Sequence, residues 1–349
     1  MKKIKVLVPS AGHPTRPSLL KCLKDNGERQ IDIVGVDMEE DGLGQHIVDF
    51  FYHVPPRTDP LYIDRILEIC KKEKIDVYYA LGEEEAMNAV KRKKDFDNIK
   101  VSIISPGDPE MVEIATNKCR YHDYLKEKDI PHARYSNIYS YESIERAVSE
   151  LGYPEKDVFV KPAVSKGGRG ARILTSRDIS SEYYKDRSQE TKMSLPAFMD
   201  LLAPLQSGEF HPILAMEYLP GTYYSVDVLS EKGKAIYVIP KIRIQGSASN
   251  TTVGQVDLNE DTIKLATSIC EAFNFSYLQN YEMKLNANQE PMVYDINPRG
   301  GASIALCAAA GVNIAYFAVK MALREKIPER KIKNKTMMIR FYDEYYKQN

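Results

Sequence analysis

The sequence predicts an α/β protein: a parallel-sheet domain of about 115 residues, then a larger region built from hairpins. Three observations lead there. The first hundred residues alternate short apolar runs with amphipathic stretches, which is the pattern of a parallel sheet covered by helices on both faces. An apolar strand with a lysine in its middle, VFVKPAV (158–164), then runs into a glycine-rich loop, Ser165 to Ala171, and on into a second strand, ARILT. Finally, YEMKL (281–285) and PMVYDIN (291–297) flank Asn-Ala-Asn-Gln-Glu, which has the composition of a tight hairpin connection.

Taken in order, IKVLVP (4–9) reads as a buried strand, followed by a Ser-Ala-Gly-His-Pro turn and a helix starting near Pro17. Strands follow at 31–37, 75–81 and 101–105, with helices around 61–73 and 83–94. Gly12 after the first strand and Asp37 at the end of the second invite a dinucleotide reading. SAGHPT holds one glycine where that fingerprint needs three, so the reading stands as a minor alternative. Ligands bind at strand ends of open α/β sheets, so Gly12, His13 and the acidic run Glu83 to Glu85 are candidates to line a cleft. The acids equally suit a helix N-terminus, where the dipole favours them.

Pro106-Gly-Asp-Pro109 marks the boundary with a helix pair over 110–128. An amphipathic helix spans 141–152, ending at Gly152. Residues 178–212 read as a polar surface insertion with a helix at 195–205, placed to cover a site. Strands are expected at 213–221, 223–230 and 234–245, a mobile loop at 245–255 and a helix at 258–274. After the hairpin come an alanine-rich helix (302–324) and a last strand (336–346).

Lysine and arginine number 48 and aspartate and glutamate 49, a balance that argues against bulk nucleic-acid or anionic-membrane binding and for small-molecule partners. The apolar run before Pro9 is too short for a signal-peptide core, and no stretch approaches a membrane span, so the cytoplasm is the expected location. Five scattered cysteines without a CxxC pair indicate neither a disulfide framework nor a zinc site.

The chemistry concentrates in the loop and the hairpin. Lys161 in so apolar a strand must reach an anion or snorkel out, and the 165–171 backbone, with Lys166 and Arg169, suits phosphate. A strand follows this loop rather than a helix, so it is not a Walker loop. On the hairpin, Glu282, Asp295 and Asn297 can share a face, and three oxygen donors of this kind suit Mg²⁺ with phosphate oxygens in the remaining positions. Arg299 offers a planar fork for phosphate or carboxylate. A surface hairpin with two solvated acids is the bland alternative. Lys241 and Arg243 alternate along one strand face, from which both can reach one anion.

Taken together and in this order, VFVKPAVSKGGRGARI, ILAMEYLPGTYYSVDVL and MVYDINPR resemble the ATP-grasp superfamily, in particular its carbamoyl-phosphate-synthase large-chain-like and carboxylate–amine ligase members. The resemblance implies a pre-ATP-grasp α/β domain at 1–115, a small lid subdomain at 116–215 and a large subdomain at 216–349, the last two forming a two-lobed grasp. By position it implies that Lys118, Lys161, Ser165, Lys166, Gly167 and Gly168 attend the ATP phosphates. Glu217 would take the adenine amino group, and the Tyr218–Leu219 backbone would read the ring edge. Glu282, Asp295 and Asn297 match metal-holding positions for Mg²⁺, with Mn²⁺ as an alternative, and Arg299, Lys241 and Arg243 match catalytic or substrate contacts. Two departures stand out: Tyr223 occupies a position where relatives often carry a ribose-binding Glu, and Asp295 is one carbon shorter than the usual Glu.

The implied activity is ATP-dependent activation of a carboxylate as an acyl phosphate for attack by an amine or similar nucleophile, an ADP-forming ligase reaction. A relative phosphorylating bicarbonate or carbamate is the first alternative, although that synthase's large chain has two grasp units and this chain has room for one. A nucleotide-binding protein without turnover is the second. ATP and small carboxylate and amine substrates are the expected partners, and a homodimer is compatible with the sequence.

Overall fold

The computed structural model describes residues 1–165, 167–179, 191–205, 209–247, 250–341 and 343–346. Its first sheet is parallel, in the order β3-β2-β1-β4-β5: β1 (Ile4–Pro9), β2 (Ile31–Asp37), β3 (Phe50–His53), β4 (Val77–Tyr79) and β5 (Ser102–Ile104). Val6, Leu7, Val8, Ile33, Val34 and Val36 are wholly buried, as strands covered on both faces require. β3 escapes a reading by periodicity because FFYH is short and half exposed at the sheet edge.

A second sheet, β6-β10-β7-β8-β9, comprises β6 (Tyr135–Ile138), β7 (Val158–Pro162), β8 (Arg172–Leu174), β9 (Thr191–Met193) and β10 (Ile213–Glu217). Of the expected surface insertion, 180–190 and 206–208 fall outside the described residues, and the helix expected at 195–205 is found at Leu195–Leu202, capped by Ser194.

The third sheet, β15-β14-β11-β12-β13-β16, is antiparallel and carries most of the hairpin chemistry. Its strands are β11 (Tyr223–Glu231), β12 (Lys234–Ser247), β13 (Asn250–Val256), β14 (Tyr277–Leu285), β15 (Pro291–Asn297) and β16 (Met337–Ile339). Period-2 alternation gives it two unlike faces. Tyr224, Val226, Val228, Tyr281, Met283 and Ile296 pack with Leu265, Ile269 and Phe273 of the helix Glu260–Phe273. The opposite face collects Tyr223, Ser225 and Asp227 beside Glu282 and Asp295, with Lys241 and Arg243 on β12.

Three expectations are corrected here. The loop expected at 245–255 is largely strand, because the backbone of 250–256 pairs with both β12 and β16. The alanine-rich helix divides into Ile304–Ala309 and Ile314–Ala322: Gly311 turns at φ +96°, and the Asn313 side chain accepts from Tyr316 N to start the second helix. The last strand is only Met337–Ile339, the length over which β13 supplies a partner.

Those two C-terminal helices share one apolar core with the first domain, in which Leu19, Leu20 and Leu23 meet Ile314, Phe317 and Ala318. Arg29 pairs with Glu325 and Lys320 with Glu28 across the same junction. The C-terminal ends of the parallel strands are thereby set against the turn that follows β15. All five cysteines are buried.

One buried polar cluster stiffens that turn. Asp227 is fully buried and pairs with Lys241, which also donates to Ser303 Oγ at 2.9 Å. The other Asp227 oxygen accepts from Gly301 N at 2.8 Å and Asn280 Nδ2 at 3.0 Å. Burial works against the Lys241 ammonium, but Asp227 more than restores it, so its pKa lies above the ordinary lysine value. A Cβ on residue 301 would stand 2.7 Å from both Asp227 Oδ1 and Asn280 Nδ2, so only glycine lets this backbone come so close. Lys241→Met leaves Asp227 charged and unpaired, and denaturant titration should show a loss of about 3–5 kcal/mol. A loss below about 1 kcal/mol would mean that the turn does not depend on the pair.

Candidate functional site

A cavity of about 290 Å³ lies between the second and third sheets. Lys161 enters it from β7, 5 % exposed, with its ammonium donating to the Tyr294 carbonyl and, at 3.4 Å, to the Tyr121 hydroxyl. Burial, together with the nearby Lys118 ammonium, pushes its pKa down to about 7 against the pull of Asp295. Lys118, on the helix Lys118–Glu127, is also buried; its Nζ donates to Ser165 O at 3.0 Å and stands 3.4 Å from Asp295 Oδ1. Ser165, Gly167 and Gly168 line the cavity, and Gly167, Gly168 and Gly170 adopt φ of +62°, +73° and +76°, backbone that side-chain-bearing residues rarely adopt. Lys166 lies outside the described residues.

Opposite these lysines, Glu282 and Asp295 are direct cross-strand partners on β14 and β15. Burial, and then Asp295, raise the Glu282 carboxyl above the usual carboxylate range. Burial pushes Asp295 the same way, but Lys118 and Lys161 outweigh it and hold its carboxyl below that range. A desolvated carboxylate pair with one member easily protonated suits a cation, and the donors are the hard oxygens that Mg²⁺ prefers. Asn297 is buried behind the pair, its Oδ1 accepting from Arg299 Nη2 at 3.0 Å.

The far end of the cavity is formed by Glu217, Tyr218 and Leu219 at the end of β10. The Glu217 carboxylate is already engaged by Arg134, through its backbone N at 2.9 Å and its Nε at 3.2 Å. Tyr223 lies under the Arg243 guanidinium at 3.6 Å from ring centre to Cζ, and both line the cavity. Lys241 does not. The expectation that Lys241 and Arg243 reach one anion is corrected: both leave the same face of β12, but the buried Asp227 draws Lys241 away. The alternation of Ser225 and Asp227 with apolar residues carried that signal in the sequence.

A second cavity, of about 530 Å³, opens where the first sheet's strand ends meet the turn after β15. Arg299, Gly300 and Gly301 form one side, and Ser10, His13, Arg16 and Arg57 the other. Of the residues expected to line a cleft, His13 and Glu83 line this cavity, Gly12, His13 and Glu85 line a neighbouring one of about 440 Å³, and Glu84 lines a third; Gly12 also donates its N–H to Asp37 at 2.7 Å, and Glu85 accepts from the 81 and 82 amides to cap its own helix. Gly167 touches both cavities. Arg16 and Arg57 were not singled out from the sequence, since a lone arginine after a turn carries no spacing signal. Among the described residues no helix is long and apolar enough to cross a membrane.

Comparison with known proteins agrees with this layout. Residues 209–344 match a family model described as ATP-grasp in the biosynthetic pathway with Ter operon, and residues 6–104 match the PylC-like N-terminal domain. The carbamoyl phosphate synthase large chain of Clostridium acetobutylicum is 24 % identical over 282 residues, which are 78 % of this chain and 24 % of that one. The C-terminal section of the Methanocaldococcus jannaschii large chain is 23 % identical over 78 % of this chain and 42 % of its own length. The chain thus spans less than half the length of these relatives. An ADP complex of N5-carboxyaminoimidazole ribonucleotide synthetase superposes with TM-score 0.69 at 16 % identity, covering 95 % of this chain and 79 % of that one. The biotin carboxylase domain of Hydrogenobacter thermophilus 2-oxoglutarate carboxylase, with MgADP and bicarbonate, gives 0.66 at 18 %, covering 95 % and 72 %. An L-amino acid ligase from Bacillus licheniformis gives 0.62 at 14 %, covering 93 % and 74 %. The chain therefore carries an ATP-grasp domain behind a PylC-like N-terminal domain and has the two-lobed ATP-grasp fold.

Proposed function

We propose that the protein is an ADP-forming ligase that uses Mg-ATP to activate a small carboxylate as an acyl phosphate and passes the acyl group to an amine or similar nucleophile. One observation carries this reading: the Glu282–Asp295 pair faces two buried lysines in one cavity, while the arginine next along the chain, Arg299, opens into a second. ATP would occupy the first cavity and the carboxylate the second. A carboxylate oxygen attacks the γ-phosphorus, the bond to the β-phosphate oxygen breaks, and ADP departs. The amine then attacks the acyl carbon, expels phosphate and loses a proton.

Such a step needs positioning and charge neutralisation more than a protein nucleophile. Lys118 and Lys161 would hold the phosphates, and the 165–171 backbone would close over them and keep water from the acyl phosphate. Glu282 and Asp295, with Asn297 behind them, would hold Mg²⁺, which supplies charge neutralisation on the transferred phosphoryl group. Since Arg134 engages the Glu217 side chain, the adenine edge would be read by the 217–219 backbone. Tyr223, stacked under Arg243, would give the ribose a flat wall in place of an acid. The structural neighbours, a synthetase, a biotin carboxylase domain and an amino acid ligase, have activities of their own that are compatible with this chemistry.

Glu282→Gln and Asp295→Asn should each abolish ATP consumption with the melting transition retained; near-normal ADP release at saturating Mg²⁺ in either would remove the metal assignment. Lys161→Met loses a charge-assisted contact of about 1.5–3 kcal/mol and should weaken ATP binding roughly ten- to a hundredfold by calorimetry. For the reaction class, hydroxylamine added to protein, Mg-ATP and an accepted carboxylate should trap a hydroxamate with ADP and phosphate; AMP and pyrophosphate would instead mean an adenylate intermediate. Arg299→Lys keeps the charge and loses the fork, so ATP should bind nearly normally while turnover falls steeply. Equal loss of both would give Arg299 a structural role only.

A further inference from the structure

The second cavity has an arginine on each of two facing walls. Its walls carry Arg16, Arg57, Arg169 and Arg299 against a single lining acid, Glu83. Arg57 is committed to Glu84 and Glu85, at 3.3 and 3.9 Å. Counting those two acids with Glu83, four arginines face three glutamates, an excess of about one positive charge. Arg299 stands on the side next to the carboxylate pair, already anchored by Asn297 and Gly300.

Arg16 stands on the other wall, at the start of the helix Arg16–Lys24. Its Nε donates to Ser10 O at 3.0 Å, which fixes the plane of the guanidinium, and among the described residues neither of its Nη atoms donates to a protein acceptor. An oriented fork with two unmade hydrogen bonds, in a site dry enough for burial to lower its pKa, is a receptor for a planar or tetrahedral oxyanion. The same positive field reaches His13, whose pKa is lowered by burial and then by Arg16, Arg299 and Arg57. Leu19, Tyr79, Leu81, Leu278 and Ile304 also line the cavity, alongside the polar Ser10, His13 and Thr15.

We infer that the carboxylate substrate carries a second anionic group, seated on the Arg16 fork, so that the cavity takes a dianion: its reacting carboxylate at Arg299 and its far group, carboxylate or phosphate-like, at Arg16. This rests on the ligase reading given above and adds the substrate class to it. Arg16 would bind and orient the far end, away from the atoms that react. Glu85 and Asp37 also act on Arg16, but neither accepts from its Nη atoms: Glu85 caps its own helix and Asp37 accepts from the Gly12 amide.

The test uses the full chain with α,ω-dicarboxylates of three to six carbons, the monocarboxylates of equal length, and the analogues ending in a phosphonate. ADP release with hydroxylamine gives kcat and KM for each. Both dianion sets should exceed the monocarboxylates at least tenfold in kcat/KM, and the better of the two identifies the far group. Arg16→Met should raise the dianion KM tenfold or more with kcat within a few-fold, and leave the monocarboxylates unchanged. Arg16→Lys, which keeps charge without the fork, should fall between, and retained melting transitions exclude misfolding. Monocarboxylates that match the dianions, or an Arg16→Met defect equal for both classes, would overturn the inference. If no carboxylate supports ADP release, the ligase reading fails separately. Calorimetric titration of the same compounds into the native chain and Arg16→Met then decides the dianion site: selective binding lost in the variant upholds it, and absence of that selectivity overturns it.

Discussion

Two carboxylates set opposite each other on one antiparallel rung, Glu282 against Asp295, impose the condition that the rest of the site meets. In a buried place like charges repel each other and lose water, so the pair is tolerable only with cations around it or a proton on it. The chain uses both. Asp295 is held ionised by Lys118 and Lys161, while Glu282 is left ready to take a proton. Those lysines come from different elements, a helix after the first domain and a strand of the second sheet, so the charges balance only where the lobes meet. The first cavity lies where this balance is struck.

The arginine side has a different logic. Arg299 lines the second cavity, and its position depends on the turn whose Gly301 amide is held by Asp227. Asp227 can be buried only because Lys241 neutralises it, so a lysine that looks like a ligand contact is tied up in holding the turn. Arg243, two residues on, donates to Thr251 Oγ1 at 3.3 Å and lies over Tyr223 at the wall of the first cavity. Identical spacing on a strand therefore led to opposite fates, decided by what lay across the sheet.

That pair marks how far the sequence could be read. The alternating sheet domain, the lysine strand with its glycine loop and the carboxylate hairpin were legible because each has a periodicity or a spacing of its own. That Glu282 and Asp295 can share a face was legible from the alternation; their direct opposition was not, because regular pairing from the hairpin would set Glu282 against Tyr294, and a register shift beside Met283 brings Asp295 opposite instead. What stayed hidden depends on contacts between distant segments: Asp227 with Lys241, Arg134 with Glu217, and the meeting of Arg16 with Arg299 across nearly three hundred residues. β13 was missed for a related reason, since Asn250–Val256 is small and polar and becomes a strand only because two neighbours pair with its backbone. The helix break at Gly311 and Asn313 was legible in principle, as a glycine end followed by an asparagine cap, but the run of alanines obscured it.

The two cavities also explain why the first domain belongs to the site at all. A nucleotide held between the second and third sheets needs nothing from residues 1–104, yet Ser10, His13, Arg16 and Arg57 face Arg299 across a shared space. That juxtaposition is maintained by an apolar core common to the first helix and the C-terminal helices and by two ion pairs at the same junction. The glycine loop reaches the nucleotide cavity through Gly168 and the second cavity through Arg169, with Gly167 at both. Under the proposed chemistry, one closure of this loop would shield the phosphates and the attacking carboxylate together, which an acyl phosphate requires because water competes with the amine from the moment it forms. The first domain would then choose the carboxylate while the grasp lobes supply the phosphoryl group, with Arg299 facing the first domain from the turn that follows the carboxylate hairpin.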